Sequence, residues 1–131
     1  LYYSRAAIPH MQRQGAGFIV NITSVAATMG HGSSIIYGAS KAALTTITKS
    51  LARAFAPEIR VNAVAPGYVD TGFGSWPPGT AERAAQAGHI GRIVTVEDVA
   101  AVTLFLVTDG AMLTGEEIVL DGGLLALGPR S

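Results

Sequence analysis

Within the stretch SSIIYGASKAAL, residues 33–44, Tyr37 and Lys41 stand four positions apart. On a helix this spacing stacks the two side chains on one face, a turn apart. A free tyrosine has a pKa near 10, which is too high for an efficient base at neutral pH. A neighbouring ammonium favours the phenolate and lowers that pKa. The pair predicts a group that moves a proton to or from an alcohol oxygen, and simple surface packing is the alternative interpretation.

The elements that must position this pair are indicated by hydrophobic periodicity and by breaker residues. Short apolar runs predict buried strands, and longer runs with helical spacing predict helices. The predicted strands cover residues 18–22, 60–65 and 118–120, the predicted helices cover residues 1–14, 36–55, 80–87 and 95–108, and a loop is expected at 25–34. Strands that alternate with helices are typical of an α/β fold, with a parallel sheet, right-handed crossovers and helices on both faces.

Polar and turn residues follow the first two predicted strands. Ser24 comes directly after the first strand, and Pro66-Gly67 ends the second. Ligands gather at the carboxyl ends of parallel strands, so these residues and the helix that connects the strands are expected to meet at one crevice. There Ser24 can donate a hydrogen bond to the substrate oxygen on which charge develops. Because no protein side chain accepts a hydride, redox chemistry at this crevice would require a cofactor.

Taken together, these motifs resemble the C-terminal half of a short-chain dehydrogenase/reductase. The resemblance rests on Ser24, on Tyr-x-x-x-Lys at Tyr37 and Lys41, and on the stretches RVNAVAPGYVDT and VEDVAAVTLFLVTDGAMLTGEEIVLDGG. It covers essentially all 131 residues, in order and with compatible spacing. The fold it implies is the C-terminal half of a doubly wound, Rossmann-like parallel sheet with helices on both faces.

The resemblance also implies a role for each matching residue. Ser24 would position the substrate carbonyl or hydroxyl, and Tyr37 would be the general acid/base. Lys41 would lower the pKa of Tyr37 and hold the nicotinamide ribose of NAD or NADP. Asn62, in the second strand, matches as structural support, and residues 72–90 match the variable substrate lid, with its aromatic residues Phe73 and Trp76. The positions matching the coenzyme contacts, besides Tyr37 and Lys41, are Pro66, Gly67, Val69 and Thr71.

The family's glycine-rich dinucleotide turn has no counterpart in this sequence. It is expected about ninety or more residues upstream of Leu1, together with the residue that selects NAD or NADP. Within the chain, Gly30-His31-Gly32 offers the first two glycines of such a turn, but Ile35 occupies the place of the third. Residues 1–131 are therefore expected to form a single partial domain, from which the dinucleotide-binding half is absent.

Two functions from different classes are consistent with these residues. The first is an NAD(P)-dependent oxidoreductase that interconverts a secondary alcohol and a ketone, and the stretch NITSVAATMGHGSSIIYGASKAAL looks closest to 3-oxoacyl-carrier-protein reductases. The second is a truncated, non-catalytic relative that serves as a binding or scaffolding subunit. The absent glycine-rich turn motivates the second, and the intact trio of Ser24, Tyr37 and Lys41 favours the first.

The charge and cysteine content exclude several other classes. Nine basic and nine acidic residues cancel, so neither a nucleic-acid partner nor an anionic membrane surface is expected. There is no cysteine, no signal-peptide pattern at the start, and no apolar stretch long enough to span a membrane, and we expect a cytoplasmic protein. His10, His31 and His89 have no ligand-like spacing, so no metal site is expected.

The low charge content predicts an oligomer. Charged residues make up 14% of the sequence, against about 25% in an ordinary soluble domain. The predicted helix at 36–55 is apolar on more than one side, which is typical of a helix buried on several sides. In the family that this sequence resembles, that helix lies at a subunit interface, so a homo-oligomer, in particular a tetramer, is expected.

Overall fold

The computed structural model describes residues 1–31, 33–72 and 77–130. Phe73 and Trp76 of the expected lid lie outside the described residues. The elements in chain order are α1 (Tyr2–Gln14), β1 (Gly17–Ile22), α2 (Ala26–Met29), α3 (Ile35–Phe55), β2 (Ile59–Pro66), α4 (Thr80–Ala87), α5 (Val96–Thr108), β3 (Glu117–Leu120) and α6 (Leu124–Leu127).

The three strands form one parallel sheet in the order β1-β2-β3. Gly17 is opposite Ile59 at the start of the first pair, and Ala63 is opposite Glu117 at the start of the second. All but one of the β2 residues are buried, as expected of a parallel strand covered on both faces. The prediction of an α/β fold with three parallel strands is confirmed.

Helices cover both faces of this sheet, and alternate residues of β2 identify which helix lies on which face. Ile59 and Val61 pack in one apolar cluster with Ile8 of α1 and Ala52 of α3. Arg60 points to the opposite face because side chains alternate along a strand. Its guanidinium reaches the Leu106 carbonyl oxygen at 2.8 Å, which places α5 there.

The expectation that both crossovers are right-handed is wrong for one of them. The chain moves in the same direction across the sheet from β1 to β2 and from β2 to β3. However, α3 and α5 make these crossings on opposite faces, so the two connections have opposite hands. The right-handed rule reflects how a strand and a helix joined by a short connection pack together. The connection at 67–95 contains α4 besides its loops, and this length relaxes that restriction.

Two single-turn helices were not predicted. The expected loop at 25–34 contains α2, whose turn closes with Met29 N–H donating to the Val25 carbonyl at 2.9 Å. After β3, both carboxylate oxygens of Asp121 accept backbone N–H groups, from Gly123 at 2.8 Å and Leu125 at 2.7 Å, and so begin α6. A four-residue helix is too short to show the 3.6-residue period in the sequence. No described helix has both the length and the apolar character needed to cross a membrane.

Asn62 joins β2 to the segment that leads into β3. Its amide nitrogen donates to the Leu113 carbonyl at 2.8 Å, and its amide oxygen accepts the Glu116 N–H at 3.0 Å. The side chain is 2% exposed, so water cannot replace either bond. The expectation that Asn62 gives structural support agrees with these contacts.

Replacing Asn62 by alanine should therefore destabilise the fold. The Asn62→Ala variant removes the acceptor of the Glu116 N–H and one of the two donors to the Leu113 carbonyl, which keeps the Arg60 guanidinium at 3.1 Å. We expect it to lower the free energy of unfolding by about 1–3 kcal/mol. Urea unfolding followed by circular dichroism measures this. Thr46→Ala, which removes an exposed hydroxyl, is the control and should change stability by less than about 0.5 kcal/mol. An equal effect of the two substitutions would contradict the structural role of Asn62.

Candidate active site

A cavity of about 540 Å³ opens at the carboxyl ends of β1 and β2. Its walls come from the ends of both strands, from the first turns of α3 and α5, and from the loop after β2. All seven residues predicted from the sequence line it, namely Ser24, Tyr37, Lys41, Pro66, Gly67, Val69 and Thr71. The structure thus brings these residues to one place, while their chemical roles remain predictions.

Ser24 lies just beyond the end of β1, where the backbone turns toward α2. The next residue, Val25, stays attached to the sheet because its N–H donates to the Pro66 carbonyl at 3.1 Å. The Ser24 hydroxyl oxygen accepts the Ala26 N–H at 3.2 Å. Because this oxygen is held as an acceptor, the hydroxyl proton can donate to a ligand in the cavity.

Tyr37 and Lys41 belong to the first two turns of α3. The helix begins at a Ser34 cap, whose hydroxyl oxygen accepts the Tyr37 N–H at 3.2 Å. Tyr37 is 40% exposed, so its ring is open to the cavity. The Lys41 ammonium lies 5.5 Å from the centre of that ring. The predicted stacking of these two residues on one helix face is confirmed.

Lys41 also fixes α3 to the end of β1. Its ammonium donates to the Ile22 carbonyl oxygen at 2.8 Å. An ammonium carries three protons, so Lys41 can hold Ile22 and still donate into the cavity. This bond was not predicted, because it joins residues of two elements whose packing the sequence does not reveal.

Gly67 allows the ends of β2 and β3 to approach closely. Its N–H donates to the Leu120 carbonyl at 2.6 Å. A side chain at this position would begin 3.1 Å from the Cα and Cβ atoms of Asp121, which is closer than ordinary contact. The loop then passes Tyr68 to Val69, which forms an isolated parallel bridge with Val94. A larger residue here would have to push Asp121 aside, so glycine suits the point where the loop enters the cavity wall.

Sequence reasoning did not single out six further lining residues: Ile22, Thr23, Ser33, Tyr68, Val96 and Val99. Tyr68 lies between two residues that were predicted, so its position in the loop after β2 was a usable signal. Burial raises the pKa of its phenol, and the nearby carboxylates of Asp70 and Glu82 raise it further. Tyr68 therefore stays a neutral phenol at physiological pH. Nothing in the sequence places the two valines, which come from the start of α5.

The histidines lie away from this cavity. His31 lines a separate cavity of about 240 Å³, together with Ser34 and Ile35. The imidazole of His89 lies 3.0 Å from the Gly128 carbonyl oxygen, and that of His10 lies 2.9 Å from the Arg13 guanidinium. Among the described residues, no three His, Cys, Asp or Glu side chains gather as metal ligands would.

Comparison with known protein families identifies the chain. Residues 1–125 match the family model described as enoyl-(acyl carrier protein) reductase. A relative from Bacillus subtilis strain 168, the short-chain dehydrogenase/reductase homolog YusR, is 41% identical over 93% of this chain and 94% of its own length. The chain belongs to the short-chain dehydrogenase/reductase family. With other curated family members the match covers about half of the relative, for example 46% and 50% of two of them.

Solved structures of the family contain the same fold as one half of a larger chain. A gluconate 5-dehydrogenase from Burkholderia cenocepacia J2315, in complex with NADP and tartrate, superposes with a TM-score of 0.86 at 26% identity, over 94% of this chain and 50% of that one. A 3-oxoacyl-[acyl-carrier protein] reductase from Brucella melitensis with bound NAD gives 0.80 at 35% identity, over 92% and 45%. The predicted fold, the C-terminal half of the family's Rossmann-like sheet, is confirmed.

The α5 wall of the cavity depends on a charged helix start. Thr95 and Asp98 form a reciprocal capping box. Arg92 adds a two-pronged ion pair with the Asp98 carboxylate, at 2.5 and 3.0 Å. These bonds, first that of the Arg92 guanidinium and then that of the Thr95 N–H, hold the pKa of the Asp98 carboxyl well below its usual range. Val96 and Val99, in the same turn, are positioned by this cap.

The cap should give a pH-dependent contribution to stability. Because the pKa of Asp98 is lower in the folded state, its contribution is complete well above the ordinary aspartate pKa of about 3.9 and is lost as pH falls below it. We expect Asp98→Asn to lower Tm at pH 7, and the difference from wild type to shrink below about pH 4. Glu97→Gln, which removes a neighbouring carboxylate from the same turn, is the matched control. A Tm difference for Asp98→Asn that stays constant from pH 7 to pH 3 would contradict this assignment.

Proposed function

We propose that the protein carrying this sequence is an NAD(P)-dependent oxidoreductase that interconverts a secondary alcohol and a ketone. Membership of the short-chain dehydrogenase/reductase family supports the reaction class. The observation that carries the proposal is the meeting of Ser24, Tyr37 and Lys41 at one cavity. A phenol, an ammonium and a hydroxyl around one opening suit proton transfer at an alcohol oxygen.

Tyr37 is the proposed general acid/base. In the reducing direction its hydroxyl proton passes to the carbonyl oxygen, and in the oxidising direction its phenolate takes the alcohol proton. Ser24 donates a hydrogen bond to the same substrate oxygen and stabilises the charge that develops on it. Its hydroxyl oxygen is held by the Ala26 N–H, which suits this donor role.

The cavity has the character of a site for the nicotinamide end of the coenzyme. Its walls combine apolar side chains, including Ile22, Val69 and Val99, with the polar groups of the trio, a mixture typical of small-molecule sites. Lys41 would donate to the ribose hydroxyls, and Pro66, Gly67 and Thr71 would line the nicotinamide. When bound, the coenzyme supplies or accepts the hydride, which no side chain can do.

The substrate is proposed to lie between this trio and the lid at 72–90. Within the lid, α4 spans Thr80–Ala87 and begins after Gly79. Tyr68 adds a neutral phenol to the lining of the same cavity. A small hydroxylated or carbonyl compound fits this mixture of apolar wall and few donors.

A second candidate is a non-catalytic binding or scaffolding subunit of the same family. Its support is the Bacillus subtilis relative, which this chain spans almost completely. Such a subunit would have no need of an intact Ser24, Tyr37 and Lys41, and the first proposal is therefore preferred.

Replacing Tyr37 by phenylalanine should abolish turnover without loss of coenzyme. In the full-length protein carrying this sequence, Tyr37→Phe should lower kcat by about 10²–10⁴-fold, because the acid/base group is removed. The dissociation constant for the coenzyme should change by less than about threefold, since the ring remains. Tyr3→Phe makes the same chemical change at a residue 93% exposed on α1 and is the control. Wild-type rates in Tyr37→Phe would refute the assignment.

The protein is also proposed to form a homotetramer. Large apolar side chains are exposed on several elements, including Ile35 and Ile36 on α3 (89% and 80%), Leu104 on α5 (60%) and Met112 (94%). Apolar surface of this extent is typical of interfaces, and part of it also suits contact with other regions of the same protein. Sedimentation velocity at micromolar concentration should give a species of four chains. A monomer alone at that concentration would contradict this proposal.

A further inference from the structure

The face of the sheet that packs against α3 carries polar side chains where apolar packing would be expected. Glu117, the first residue of β3, is only partly buried, and its carboxylate lies between β1 and α3. The carboxylate oxygen Oε1 accepts the hydroxyl of Thr23 at 2.6 Å and the hydroxyl of Thr45 at 2.7 Å. Bonds from hydroxyls to a charged oxygen at this length are among the stronger hydrogen bonds in proteins.

The register of the sheet explains how Glu117 reaches both partners. Ala63 of β2 lies between Asn21 of β1 and Glu117 of β3 in one row across the sheet. All three face α3, and the small Ala63 methyl group leaves room for the longer side chains on either side. In the same row, the Asn21 amide donates to the Thr48 hydroxyl oxygen at 2.9 Å. Two polar contacts, one turn apart along the helix, therefore dock α3 on the sheet.

The two partners of Glu117 are next to the proposed catalytic residues in different elements. Thr23 immediately precedes Ser24 at the end of β1. Thr45 lies one turn after Lys41, and its hydroxyl is also 3.2 Å from the Lys41 carbonyl oxygen. One carboxylate oxygen thus joins the backbone that carries Ser24 to the helix that carries Tyr37 and Lys41.

We propose that Glu117 is a positioning residue, which sets the distance of Ser24 from Tyr37 and Lys41 by holding Thr23 and Thr45 together. This inference rests on the proposed oxidoreductase function and concerns a residue that does not line the cavity. A partly buried carboxylate is costly unless its oxygens are hydrogen-bonded. Its two bonds offset that cost and specify one position of α3, whereas apolar packing would tolerate small shifts.

The test uses steady-state kinetics of the full-length protein. Glu117→Ala removes the shared acceptor, and we expect kcat to fall about tenfold or more, because small misplacements of reacting groups are costly in rate. The KM for coenzyme should change less than about threefold. Glu117→Gln keeps a carbonyl oxygen that can accept both hydroxyls and should restore kcat to within about threefold of wild type. Glu116→Ala, at the exposed neighbouring glutamate, is the matched control and should leave kcat unchanged.

If Glu117→Ala does not fold, a second pair of variants tests the positioning role of Glu117 at its partner Thr45. Thr45→Val has nearly the volume of threonine and deletes only the hydroxyl, whereas Thr45→Ser keeps it. The proposal requires Thr45→Val to lower kcat and Thr45→Ser to retain it. If Thr45 only stabilised the fold, Thr45→Val would lower Tm, but its kcat would equal that of Thr45→Ser, and the proposal would be overturned.

Wild type and Tyr37→Phe are measured in parallel to separate two kinds of failure. If Tyr37→Phe is inactive while Glu117→Ala, or Thr45→Val in its place, keeps wild-type kcat, only the role of Glu117 is overturned. If wild type has no coenzyme-dependent turnover, or Tyr37→Phe equals wild type, the oxidoreductase function falls and the role of Glu117 falls with it.

Discussion

The position of α3 on the sheet is the constraint on which the candidate site depends. Tyr37 and Lys41 can meet Ser24 only if this helix lies at one height above the strand ends. Hydrogen bonds fix that height at three places: from Lys41 to the Ile22 carbonyl, from Thr45 to Glu117, and from Asn21 to Thr48. Apolar contacts of Ala52 with the β2 core attach the far end of the helix. Polar contacts therefore set the geometry near the cavity, and apolar packing supplies stability farther away.

On the other side of the cavity, contacts with backbone groups hold β2 and the loop that follows it. Asn62 ties β2 to the segment before β3, and Gly67 lets the two strand ends come close. On the α5 face, the Arg60 guanidinium lies within hydrogen-bond distance of the Leu106, Gly110 and Leu113 carbonyls at the end of that helix. It also stacks 4.6 Å from the centre of the Phe18 ring. Because hydrogen bonds are directional, these contacts fix the position of β2 and therefore the point at which the loop after it starts.

Local patterns in the sequence were sufficient to predict the strands, the main helices and seven of the residues that line the cavity. The breaks at Gly15 and Pro66-Gly67, the capping box at Thr95, and the four-residue spacing of Tyr37 and Lys41 all act within a few positions. The contacts of Glu117 could not be predicted, since Thr23 is 94 positions away and Thr45 is 72 positions away. They depend on strand register and on which face carries α3. The opposite hands of the two crossovers depend on the same long-range packing.

The most direct test of the central claim is a titration of the full-length protein with NADH and NADPH, followed by nicotinamide fluorescence. An oxidoreductase of this family must bind at least one of the two coenzymes before any chemistry can occur. We predict saturable binding of one or both, with a dissociation constant between about 1 µM and 1 mM, the range typical of enzyme KM values. If neither coenzyme changes the fluorescence up to millimolar concentration, the oxidoreductase account is contradicted and the non-catalytic subunit is favoured.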